Sequence, residues 1–82
     1  MNDTEPLHHH PLTYFVNAEA QHTERTELKV KEIIETAGFT PVSDYRLTRD
    51  EGDHAYDDYD YEVRLHEGER FTATFIGITP TS

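Results

Sequence analysis

Cysteine is absent from this chain of 82 residues. That rules out a disulfide, a thiolate metal site and a thiol nucleophile together. The absence fits a cytoplasmic setting, and a cytoplasmic location is the expectation. Positive charge is scarce: seven Lys and Arg stand against seventeen Asp and Glu, a formal net charge of −10. Affinity for phosphate comes mostly from positive charge, so neither nucleic acid nor an anionic membrane surface is an expected partner. A basic protein partner is the binding interpretation of that charge, and solubility is the plain one. Long hydrophobic runs are missing as well. Nothing approaches the about 20 apolar residues of a membrane span, and the N-terminus lacks the basic start and apolar centre of a signal peptide. With 34% hydrophobic residues the chain can fill one modest core, and its length allows one small domain.

What is present falls into three parts. Residues 1–11 are polar and aperiodic, hold two prolines and the triplet His8-His9-His10, and are read as a disordered leader. Adjacent histidines on a loose leader make a poor metal site, because ligands need a rigid frame. Residues 12–76 form the domain. Leu12-Thr13-Tyr14-Phe15-Val16-Asn17 has the β-branched and aromatic content of a strand, Asn17-Ala18-Glu19 suits a turn, and residues 21–26 suit a charged edge strand. Val30, Ile33, Ile34 and Ala37 recur at helical spacing, with Gly38 as the C-terminal stop and Pro41 beyond it. Tyr45-Arg46-Leu47-Thr48-Arg49 alternates, and Asp50-Glu51-Gly52-Asp53 reads as a turn. Residues 50–62 carry seven acids and no base, interleaved with Tyr56, Tyr59 and Tyr61, and read as an ordered, irregular crossover. Val63 and Leu65 alternate before a turn at His66-Glu67-Gly68-Glu69, and Phe71-Thr72-Ala73-Thr74-Phe75-Ile76 is the last strand. Residues 77–82 are a flexible tail, with Gly77 freeing the backbone and Pro80 discouraging a return to the sheet.

This order predicts an α+β fold in which one helix lies across one face of a mixed four- to five-stranded sheet. The first and last strands stand side by side at its centre. The expected core is Phe15, Leu28, Val30, Ile33, Ile34, Ala37, Leu47, Val63, Leu65, Phe71, Ala73 and Phe75.

The chain resembles the β-grasp proteins, and more closely the bacterial ubiquitin-like domains of the multiubiquitin type. The residues that carry the likeness are Phe15-Val16-Asn17, Val30-Lys31-Glu32-Ile33-Ile34, Ala37-Gly38, Tyr45-Arg46-Leu47, Asp50-Glu51-Gly52-Asp53 and Leu65-His66-Glu67-Gly68-Glu69-Arg70-Phe71-Thr72. Their spacing spans nearly all of residues 12–76. The resemblance implies a protein modifier, activated at its C-terminal carboxylate by an ATP-consuming adenylating enzyme and passed by a conjugating enzyme to target proteins. Such a protein is not itself an enzyme and holds no cofactor or metal. Its site residues would be the tail Gly77, Ile78, Thr79, Pro80, Thr81 and Ser82, together with a docking sheet face of Arg46, Thr48, Arg49, Arg70, Thr72, Thr74 and Ile76.

Two departures from that family stand out. Where ubiquitin carries an aliphatic patch, the outward positions here are Thr48, Thr72 and Thr74, with Ile76 alone apolar. The tail has one glycine rather than two. Either a processing peptidase trims it, or the activating enzyme admits a bulkier end, or the domain is not conjugated. Six extended residues reach at most about 20 Å, enough to enter an enzyme cleft. Two other functions remain open: a β-grasp module that only docks partners, and an acidic DNA mimic acting through residues 50–62. A calcium loop does not fit Asp58, Asp60 and Glu62, because Val63 stands where the sharp turn needs glycine. The scattered His22, His54 and His66 have no nucleophile partner in view, since cysteine is absent and the serines are only Ser43 and Ser82.

Overall fold

The structure is a computed structural model, and it describes residues 11–77. Nearly all of the expected leader and everything in the tail beyond Gly77 therefore lie outside the described residues.

Strand β1 (Leu12–Val16) turns back antiparallel into β2 (Glu19–Thr23), with Val16 opposite Glu19. The loop is only Asn17 and Ala18, both left-handed at φ 52° and 70°. Two positive φ values match the twist of flanking strands, so this is the tightest hairpin available. The return strand consequently begins two residues earlier than the expected 21–26. A short strand β3 (Glu27–Lys29) then pairs antiparallel with the later β6 (Glu62–Arg64) in a separate two-stranded sheet. Neither the pairing nor β3 is visible in the hydrophobic pattern, because each strand is three residues long.

Helix α1 (Val30–Thr36) follows at once. Its start is held by neighbours rather than by a polar cap. Val30 N–H donates to the Tyr61 carbonyl at 2.9 Å and Lys31 N–H to the Tyr59 carbonyl at 3.0 Å. Glu32 Oε1 reaches back to accept from Lys29 N–H at 2.8 Å, the carboxylate half of a capping box. Its end is a Schellman motif: Gly38 N–H donates to Glu35 O, and Phe39 N–H to Ile34 O, at 2.9 and 3.2 Å. Gly38 takes φ 95°, the left-handed stop its position predicts.

After a 3₁₀ turn at Val42–Asp44 come β4 (Tyr45–Arg49), the two-residue β5 (His54–Ala55), β6 and finally β7 (Arg70–Phe75). The main sheet has the order β2-β1-β7-β4-β5. Its central pair, β1 with β7, is parallel, and all other pairs are antiparallel. The fold is thus a small α+β structure with a mixed five-stranded sheet and one helix.

Side chains alternate across a strand, and the register sorts them. Tyr14, Val16, Leu47, Phe71 and Ala73 are buried together with Leu28, Val30, Ile33, Ile34, Tyr56, Val63 and Leu65. Three expected core positions change. Phe15 faces the other side of β1, because both parities of that strand carry apolar residues and Leu12, Tyr14 and Val16 together outweigh one Phe. Phe75 has the inward parity but is 47% exposed. The helix has only seven residues, about 10 Å, and leaves the end of β7 uncovered. Ala37, the residue capping the helix end, is half-buried and packs against the core rather than within it.

Candidate functional site

The sheet face turned away from the core is built from outward residues of three strands. Along β7 these are Arg70, Thr72 and Thr74, and the buried Phe71 and Ala73 fix that parity. Thr48 stands opposite Thr72 and Arg46 opposite Thr74 on β4. Phe15 stands beside Arg70 on β1. The guanidinium of Arg70 lies 4.8 Å from the centre of the Phe15 ring, a cation–π contact. Thr72 Oγ1 donates to Asp50 Oδ1 at 2.7 Å. At the hairpin side, Thr13 Oγ1 and His22 Nδ1 are 3.1 Å apart. Ile76 continues the alternation just past β7 and is 46% exposed.

Six of the seven residues expected on a docking face therefore share it. Arg49 does not. It pairs with Phe71 in the register, so it has the parity of Leu47 and turns toward the core side. There its Nη1 lies 3.4 Å from Glu69 Oε2, whose side chain is only 5% exposed. The face also holds an aromatic residue, Phe15, that the hydrophobic pattern assigned to the core. The signal that would have found it is parity: Tyr14 and Val16 must share one side of β1, and Phe15 must take the other.

At the far end of β7 the chain leaves the sheet under restraint. Ile76 N–H donates to the Asp44 carbonyl at 2.7 Å, one rung beyond the last paired residues. A Cβ on Gly77 would come within 2.8 Å of Asp44 Cγ, 2.9 Å of Asp44 Oδ1 and 2.9 Å of Phe75 Cζ. The glycine is needed for that close approach, quite apart from any role in a tail. Phe75 leans on Tyr45, ring centres 5.6 Å apart, and Tyr45 on Phe39 at 5.1 Å. Ile78, Thr79, Pro80, Thr81 and Ser82 lie outside the described residues.

On the core side at the opposite end, the Arg49–Glu69 pair sits under the acidic crossover. Among the described residues, Arg49 Nε, Glu69 Oε1 and the Tyr14 hydroxyl are buried without a hydrogen-bond partner. Burial pushes the Tyr14 hydroxyl above its ordinary value of 10.0. Tyr56 is also raised, by burial first, with Arg49 acting against the shift and Glu69 and Tyr61 adding to it. Of the three crossover tyrosines, Tyr56 is buried, Tyr59 is half-buried and donates to the Tyr45 carbonyl at 2.7 Å, and Tyr61 is 54% exposed. Two clefts flank this region. One, of about 500 Å³, lies between the 50–52 and 66–70 segments. The other, of about 300 Å³, is lined by His54, Ala55, Tyr56, Asp57, Asp58 and Tyr61.

Among the described residues no group of three or more His, Asp or Glu is arranged to hold a metal ion. Asp58 and Asp60, weighed as calcium ligands, are used locally. Asp58 Oδ1 accepts from Asp60 N–H at 2.9 Å, and Asp60 pairs with Lys31 Nζ at 3.0 Å. Among the described residues no helix is long and apolar enough to cross a membrane. The arrangement offers a mixed polar and aromatic sheet face, a restrained chain exit and two clefts. The chain matches no protein-family model, no curated protein and no solved structure.

Proposed function

We propose that this chain is a ubiquitin-like protein modifier of β-grasp type, joined to target proteins through the carboxylate that ends the tail after β7. The observation that carries the reading is the place of β7 in the sheet. It runs between β1 and β4, parallel to one and antiparallel to the other, and hands the chain to Gly77 at the sheet's end. A strand bonded on both sides is a firm anchor for a tail that another protein must grip.

In this reading an adenylating enzyme joins the tail carboxylate to the phosphate of AMP, releasing pyrophosphate from ATP. An amine of the target, delivered by a conjugating enzyme, then takes the acyl group and AMP leaves. The modifier supplies the carboxylate and the docking face of Arg46, Thr48, Arg70, Thr72, Thr74, Ile76 and Phe15. The test is incubation with ATP and an adenylating enzyme from the same cells, followed by hydroxylamine. A hydroxamate at the C-terminal carboxylate in the intact mass spectrum is the expected product. Its absence from both the full chain and a chain ended at Gly77 would overturn the reading.

One observation favours a second reading, a domain that only docks partners. Gly77 is accounted for by its contacts with Asp44 and Phe75, so it does not itself require an enzyme channel. Deleting residues 77–82 separates the two. A docking domain keeps its partner, whereas a modifier loses all transfer.

A further inference from the structure

The crossover between β5 and β6 contains aromatic rings that are held in place without being fully used by the core. His54 and Tyr56 meet edge to face at 4.7 Å, and Tyr56 and Tyr61 stack at 5.7 Å with planes 27° apart. Tyr56 is fixed by burial and by its N–H donating to the Leu47 carbonyl at 2.9 Å. Tyr61 is fixed differently. Its N–H donates to Asp58 O at 3.1 Å, and its own carbonyl accepts from Val30 N–H at 2.9 Å. The ring is thus more than half exposed on a backbone bonded on both sides.

These rings line the 300 Å³ cleft together with Asp57 and Asp58. Residues 50–62 contain no Lys or Arg. The nearby Arg49 is already paired with Glu69, and Lys31 with Asp60. The cleft therefore combines the exposed ring of Tyr61, backed by the buried Tyr56, with net negative charge, in a protein whose formal charge is −10. A planar guanidinium satisfies both features, because it stacks on aromatic faces and pairs with carboxylates through a rigid fork of donors. A compact ammonium gains less from stacking, a neutral donor gains only the weaker uncharged hydrogen bond, and an anion is repelled by the carboxylates.

We propose that this cleft is a docking site for an arginine side chain in a basic segment of a partner protein. The guanidinium lies against the ring of Tyr61, which Tyr56 backs, and pairs with Asp57. The inference goes beyond the modifier reading and uses neither the tail nor ATP, so either can fail alone.

The probe is a hexa-arginine peptide titrated into the isotope-labelled full chain, followed by NMR. Saturable shifts centred on Tyr56, Asp57, Asp58 and Tyr61 are expected. Affinity should fall at least tenfold in Tyr61→Ala, recover to within about threefold in Tyr61→Phe, and fall several-fold in Asp57→Asn. Glu35→Gln, on the exposed side of α1, removes equal charge elsewhere and should change affinity less than twofold. Asp57→Asn, at an exposed position, keeps the test valid where loss of the Tyr61 ring disturbs folding. Shifts spread over all acidic residues, or equal effects of Asp57→Asn and Glu35→Gln, would overturn the proposal in favour of bulk charge attraction.

Discussion

Asn17 holds the backbone of Ala73 by both ends of its amide. Its Oδ1 accepts from Ala73 N–H at 2.9 Å, and its Nδ2 donates to the Ala73 carbonyl at 3.2 Å. Strand β1 ends at Val16, and the Asn17 N–H makes one further bond, to Phe71 O at 3.0 Å. Beyond that the polar groups of Ala73 that face β1 would go unpaired. The side chain extends the ladder by one residue while its own backbone turns away at φ 52°, a conformation Asn tolerates better than most residues. Replacing Asn17 by Ala should cost about 2 kcal/mol, since two part-buried backbone groups lose their partners. Asn17→Asp keeps the acceptor and removes the donor, so it should fall between the two. Urea unfolding with an unchanged m-value checks the order.

The pair Arg49–Glu69 is asymmetric in burial, and its variants should be asymmetric too. The Glu69 side chain is almost wholly covered while that of Arg49 is 37% exposed. Glu69→Ala leaves the guanidinium beneath the crossover without its counter-charge, and about 2 kcal/mol should be lost. Arg49→Ala strands a buried carboxylate instead and should cost more. The double variant should be less damaging than the two single losses added together, and thermal unfolding of all four proteins measures that coupling.

Acid should remove one support of α1. The Lys29 N–H bond holds the Glu32 carboxyl below its ordinary 4.5, with Arg25, Lys29 and Lys31 assisting and partial burial opposing. A depressed folded value means the stabilisation is fully present above the unfolded value and is lost as pH falls through the folded one. Gln at this position keeps the acceptor and loses the charge. The stability gap between the parent and Glu32→Gln should therefore be constant near neutrality and close as pH drops below about 4.5. Asp60, lowered by its bond to Lys31, should behave likewise at slightly lower pH.

Gly77→Ala should destabilise by about 1 kcal/mol, because its Cβ must displace the ends of two side chains rather than backbone. Asp44→Ala removes one of those obstacles. In the double variant part of the loss should return, as read by denaturant midpoints.

Much of this was legible in the residues. Gly38 after Val30, Ile33 and Ile34 marks the helix and its stop, and the alternation around Leu47 and Ala73 marks the central strands. The pattern places Phe15 in the core because apolar residues occupy both parities of β1, and only pairing with β7 decides between them. The charge of Arg49 suggests an outward place, whereas the inward-facing Leu47 two residues earlier sets it on the core side. Its partner Glu69 is more than a dozen positions away in sequence, and nothing local announces the pair. The stacked Tyr56 and Tyr61 were visible as a tyrosine-rich stretch, but their contact depends on how the helix start receives the carbonyls of Tyr59 and Tyr61.

Covalent joining of the tail to other proteins is best sought in the cells that make the chain. An N-terminally tagged copy is purified under denaturing conditions and digested with trypsin, which cuts after Arg70. Target lysines are expected to bear a branch that begins Phe71-Thr72-Ala73 and runs through the tail to its terminal carboxylate, or to Gly77 after trimming. Recovery of that segment solely as a free peptide, with no branched lysine, would contradict covalent joining.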